Sequence, residues 1–111
     1  MVRKLIEEVA FFRMPLRVAV MKSVLQRLRG VSYAKRLQYN ALLRPAYGYC
    51  MYNAALLARA LGHEEISVIE FGVAGGAGLI NVEMHAQEIK KDLGISFQVY
   101  GFDTASGLPK P

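Results

Sequence analysis

Apolar side chains recur along this chain with two different periods. Over residues 2–29, Leu5, Val9, Phe12, Leu16, Val20, Val24 and Leu28 follow one another at steps of three or four, the spacing of one helical face. The spacing predicts a long amphipathic helix, or two helices meeting near Pro15, because proline removes a backbone donor and clashes with the preceding turn. Gly30 then stops it. A short helix over 33–43 follows, ended by Arg44-Pro45. A third helix is expected over 48–61, with Cys50, Ala54, Leu57 and Leu61 as its packing face, Arg59 in its last turn and Gly62 just beyond. The run 66–71, Ile-Ser-Val-Ile-Glu-Phe, is short, rich in β-branched residues and nearly apolar throughout, as a buried parallel strand would be. After a glycine-rich turn, Leu79, Val82, Ala86, Ile89 and Leu93 return to the helical period and Gly94 closes it. Ile95, Phe97 and Val99 then alternate with Ser96, Gln98 and Tyr100, a second strand leading into Gly101-Phe102-Asp103. The expected class is α/β: N-terminal helices followed by a strand, helix, strand unit with parallel strands.

Charge divides the chain. Residues 1–44 carry ten Lys or Arg against Glu7 and Glu8, whereas residues 45–111 carry four against seven acids. We therefore separate a basic helical segment, 1–45, from an α/β segment, 46–111. The basic segment suits contact with an anionic membrane surface or with phosphate backbones, or it covers a sheet with its apolar face and turns its charges to water. The covering role is favoured, and nucleic acid is not a favoured partner. Charged residues interrupt every apolar stretch of the N-terminal third, which excludes a membrane span and a secretory leader there and makes the cytoplasm the default location. The single cysteine, Cys50, leaves no internal disulfide and no cysteine-based zinc site.

Candidate chemistry lies at the end of the first strand. Glu70 precedes Gly72, Gly75, Gly76 and Gly78, and a helix begins immediately after. Glycines let the backbone bend sharply and let a ligand approach without a Cβ in the way, while a helix N-terminus offers unpaired N–H groups. The dinucleotide pattern needs glycines at first, third and sixth places; Ala74 breaks it from Gly72, and Asn81 breaks it from Gly76. No Gly-Lys-Ser/Thr follows, so a Walker A loop is excluded. An acid before the glycines suits a cationic ligand, and S-adenosylmethionine carries both an ammonium and a sulfonium. Asp103, 25 residues beyond Gly78, stands at the end of the second strand, where a carboxylate can accept both hydroxyls of an adenosine ribose. The same geometry serves NAD sites, so Asp103 speaks for adenosine and not for methyl donation.

Residues 69–76, Ile-Glu-Phe-Gly-Val-Ala-Gly-Gly, together with 99–109, Val-Tyr-Gly-Phe-Asp-Thr-Ala-Ser-Gly-Leu-Pro, resemble the first motif and the motif after strand two of Rossmann-like class I methyltransferases, most closely the macrocin O-methyltransferase type. Ala74 stands where that family more often has glycine, and Ala105-Ser106 where it more often has an aromatic residue and an acid. The resemblance covers residues 66–109. It implies S-adenosylmethionine as cofactor, with Glu70, Gly72 and Gly76 shaping the pocket for its methionine part, Asp103 holding the ribose, and Ala74 and Gly75 of the same turn as further cofactor-binding residues. It also implies methyl transfer to a small molecule or sugar hydroxyl, and a divalent metal, such as Mg, and a base supplied by residues later in such a domain, so no metal ligand and no catalytic residue is assigned in this chain. Such domains have roughly seven strands, and two strands cannot bury both faces of a sheet. The chain is therefore read as the N-terminal part of one, inactive and unable to hold the cofactor tightly by itself.

Other polar residues receive structural readings. His85, Glu83 and Glu88 fall beside the apolar stripe of their helix and are expected on its solvated face, and His63 in an exposed loop. Tyr47, Tyr49 and Tyr52 are taken as packing residues. Glu70 has an alternative role in capping the helix that follows, and Asp103 one as a turn residue before Thr104 and Gly107. Beside the methyltransferase stand two other classes, an enzyme using NAD or another adenosine cofactor and a basic helical binding module.

Overall fold

The computed structural model describes residues 16–107. Four helices and two strands follow one another as α1 (Leu16–Arg27), α2 (Tyr33–Gln38), α3 (Pro45–Ala60), β1 (Glu65–Phe71), α4 (Ala77–Leu93) and β2 (Ser96–Phe102). The strands pair in parallel, from Glu65 opposite Ser96 to Phe71 opposite Phe102, and α4 connects them. The described residues are thus a mixed α/β arrangement built on a two-stranded parallel sheet. The break expected at Pro15 and the positions Leu5, Val9 and Phe12 lie outside the described residues, as do Leu108 and Pro109. No helix among the described residues is long and apolar enough to cross a membrane.

The crossover unit forms as its periodicity predicts. Val82, Ala86 and Ile89 are buried, and Leu79 and Leu93 flank them half-buried on the same face. Gly94 ends α4 at φ 77°, its N–H donating to the Lys90 carbonyl at 2.9 Å. A left-handed residue here closes the last turn, and glycine adopts that conformation without a Cβ clash. Ile66, Val68, Phe97 and Val99 of the sheet pack against Tyr33, Met51, Ala55, Val82, Ala86, Ile89 and Ile95. The core is therefore a single layer between one face of the sheet and the helices α3 and α4.

Two expectations about helix faces fail, and one about helix length. Helix α1 leaves its predicted stripe outside: Leu16 is 81% exposed, Val20, Val24 and Leu28 are exposed too, and Leu25 is the buried residue. The stripe therefore does not cover the sheet. Helix α3 begins at Pro45, which is tolerated at the first helical position because its missing N–H has no partner there anyway. It turns Gly48, Met51, Ala55 and Ala58 inward, so Cys50, Ala54, Leu57 and Leu61, the expected packing face, point outward. Small residues let α3 approach α4 closely, and that gain outweighs burial of the leucines, Leu57 remaining 61% exposed. Helix α2 stops at Gln38, because Asn40 turns to a φ of 51° and Leu43 lies beyond it.

Strand β1 is one-sided where burial on both faces was expected. Ile66, Val68 and Glu70 are half-buried; Ser67, Ile69 and Phe71 alternate with them and are exposed. On the same outer face Tyr100 and Phe102 are exposed, and the Phe71 and Phe102 rings stack with centroids 5.6 Å apart.

Candidate functional site

At the carboxyl ends of both strands the backbone leaves the sheet together. The Gly72 N–H donates to the Phe102 carbonyl at 2.8 Å, carrying the ladder one residue past β1. The turn then runs through three left-handed residues, Gly72 (φ 80°), Ala74 (φ 47°) and Gly76 (φ 84°), and Gly76 caps α4. Ala74 is the one that adopts this region with a Cβ, at a cost of about 1 kcal/mol. Asp103 helps hold it there: Oδ2 accepts the Ala74 N–H at 2.9 Å, and Oδ1 accepts the Ala105 N–H at 2.7 Å. These two backbone donors, Ala74 first, hold the exposed Asp103 carboxyl below its ordinary pKa, so it is an anion at neutral pH. Its turn role and its candidate site role coexist, since each oxygen keeps a further lone pair. A cleft of about 710 Å³ opens between the two loops, lined by Phe71, Gly72, Ala74, Phe102, Asp103 and Thr104 among others.

Glu70 stands apart from that cleft. Strand alternation sends its side chain to the helix-covered face with Ile66 and Val68. It lies over the first turn of α4, where a Cβ on Gly78 would stand 1.9 Å from Oε1. Oε1 accepts a hydrogen bond from the Tyr47 hydroxyl at 3.3 Å, and Oε2 is buried without any partner. Helix capping by Glu70 has no hydrogen bond to carry it. The expected residues therefore divide into two groups: Gly72, Ala74 and Asp103 share the cleft, whereas Glu70 sits behind the turn with Gly78. Gly75 and Gly76 form the turn between them without lining the cleft. Tyr47, read as a packing residue, is the polar neighbour that the sequence did not reveal.

His85 is the clearest correction. It is 4% exposed, not on a solvated face, because α2 and the loop before α3 cover the edge of the α4 stripe on which it lies. Its Nε2 stands 2.9 Å from the Leu43 carbonyl, which only accepts, so Nε2 carries the proton. Nδ1 then accepts from the Tyr33 hydroxyl at 2.8 Å. Burial lowers the His85 pKa and raises that of Tyr33. Glu88, also expected on the solvated face, pairs with Arg36 and, at 3.2 Å, with Lys91. The Arg36 hydrogen bond, then that from Lys91, lowers the Glu88 pKa from 4.5. The folded His85 binds its proton less readily than the unfolded one, whose pKa is about 6.5. Its contribution to stability is therefore full above about pH 6.5 and is lost as pH falls through the lowered folded value, with the Glu88 loss following at lower pH. Urea denaturation at a series of pH values should show midpoints falling between pH 7 and 5, and His85→Gln should flatten that slope. An unchanged slope in the variant would place the titration elsewhere.

Among the described residues, no group of three or more His, Cys, Asp or Glu stands close enough together to hold a metal ion. Compared with known proteins, the chain matches no family model, no curated protein and no solved structure.

Proposed function

We propose that this protein takes part in S-adenosylmethionine-dependent methyl transfer, with the turn between β1 and α4 as part of a Rossmann-like cofactor site and a small-molecule or sugar hydroxyl as the acceptor. The observation that carries the reading is the buried, unpartnered Oε2 of Glu70 beside the glycine turn. A buried acceptor left without a donor costs roughly 1–3 kcal/mol, more when it is charged. A ligand that brings a cationic donor to Glu70 removes that cost, whereas the pyrophosphate of a dinucleotide would be repelled by it. Asp103 supports the other end of the same ligand, as an anionic acceptor on a cleft whose walls include the Phe71 and Phe102 rings. When bound, the cofactor supplies the methyl group from its sulfonium. This chain's residues bind and orient: Glu70 meets the cation, Gly72 and Ala74 admit the ligand close to the backbone, and Asp103 accepts from the ribose. No residue here is assigned as base or metal ligand.

The test is binding. Saturation-transfer NMR on the 111-residue chain, with ligand at millimolar concentration, should give transfer to S-adenosylhomocysteine and not to NAD. Glu70→Gln keeps the shape and removes the charge, and should weaken S-adenosylhomocysteine by about tenfold, the range for a hydrogen bond to a charged group. Transfer to NAD alone would overturn the reading.

A further inference from the structure

Two apolar surfaces among the described residues lack a cover, and they do not touch each other. The first is the stripe of α1, where Leu16, Val20, Val24 and Leu28 are exposed and α2 is the only described element beside the helix. The second is the outer face of the sheet, where Ile69, Tyr100 and Phe102 are exposed and Phe71 is 78% accessible. Parallel strands are ordinarily covered on both faces, and contiguous exposed apolar surface marks an interface. The charges of the two surfaces are opposite. Helix α1 carries Arg17, Lys22 and Arg27 and no acid, whereas neither strand holds a Lys or Arg, and Glu65 opens β1 on the outer face.

A single copy does not bring the two surfaces together. Helix α2 lies against α3 and α4, on the covered side of the sheet, and touches neither strand. Residues 28–32 tie α1 to α2 and span roughly 20 Å at full extension. A helix on the outer face would stand about 20 Å from the inner helix layer, since packed layers lie about 10 Å apart, and the path around the sheet edge is longer than that straight line. We infer that two copies of this chain pair reciprocally, each laying the α1 stripe on the outer sheet face of the other. The dimensions agree: twelve helical residues run for about 18 Å and seven strand residues for about 23 Å. The stacked Phe71 and Phe102 rings form the apolar centre of each contact, and the α1 bases lie at its rim. The exchange closes at two copies and covers both bare surfaces twice. An anionic membrane would take up the α1 stripe alone and leave the sheet bare.

Size-exclusion chromatography with light scattering on the 111-residue chain should give twice the 12.3 kDa of one copy. Val20→Asp and Ile69→Lys should each weaken self-association by at least tenfold. Val20 is exposed on α1, so its result stands even where Ile69→Lys fails to fold. A mixture of the two variants tests the geometry. At a concentration where wild type is dimeric and each variant alone is monomeric, the equimolar mixture should form a heterodimer, because one unaltered stripe then meets one unaltered sheet face. Pairing of stripe with stripe, or of sheet with sheet, would leave one variant dimeric by itself and would overturn the inference. A wild-type chain that stays monomeric would overturn it as well, and α1-dependent binding of that monomer to phosphatidylglycerol vesicles would assign the stripe to a membrane instead. Particles larger than two copies that persist in both variants would also overturn it.

Discussion

Ile89→Ala is expected to cost about 3 kcal/mol of folding stability, within the 2–5 kcal/mol range for removing a fully buried aliphatic side chain. Ile89 is completely buried, and on α4 it faces the layer where the sheet and α3 meet. The variant loses the transfer energy of three carbons and leaves a cavity that helix and sheet cannot both collapse into. With urea slopes of about 1–3 kcal/mol per molar, the midpoint should fall by at least 1 M with its slope unchanged. Ile80 lies on the same helix but is 62% exposed, and Ile80→Ala should change stability by less than about 0.5 kcal/mol. Equal effects at the two positions would mean that α4 does not bury the face described.

Gly48→Ala is the second large effect, and it runs against helix propensity. Alanine in place of glycine within a helix would ordinarily add up to about 1 kcal/mol, and Gly48 is the fourth residue of α3. Here the new Cβ would stand 2.5 Å from the Tyr33 hydroxyl and 3.1 Å from His85 Cε1. Both rings are buried, and Tyr33 is also held against the Tyr52 ring at a centroid distance of 5.4 Å, so neither can step aside cheaply. Overpacking costs roughly 1–3 kcal/mol, and separating Tyr33 from His85 leaves a buried donor and acceptor unpaired. A net loss of about 3 kcal/mol in urea or thermal denaturation is expected. A raised melting temperature would show that propensity wins and that the Tyr33–His85 contact is looser than its 2.8 Å distance implies.

Gly48 and His85 also mark where sequence reasoning stops. The crossover unit is legible because Leu79, Val82, Ala86, Ile89 and Leu93 keep one period from end to end, and because Gly94 tolerates the left-handed cap. The turn at Gly72 and Gly76 is legible for the same local reason. Asp103 is legible as a carboxylate at a strand end. Its bond to the Ala74 N–H joins residues 29 positions apart, and no pattern along the chain encodes that contact.

Local chemistry by itself determined where strands, turns and the crossover helix lie, since period, capping and glycine placement act within a few residues. The tertiary structure decided which face each helix buries. On α3, the alanines and Gly48 outcompete Leu57 and Leu61 because close approach to α4 adds contacts along the whole helix, and on α1 the apolar stripe finds no sheet beneath it. It also decided the company that polar groups keep. His85 is buried where Leu43 and Tyr33 meet it from other elements, and that burial lowers its pKa, while Glu70 carries one satisfied and one unsatisfied oxygen because Tyr47 reaches it across 23 positions. Hydrogen bonds act over about 3 Å in space whatever the separation in sequence, so the partners of a buried polar group become known only when the chain is folded.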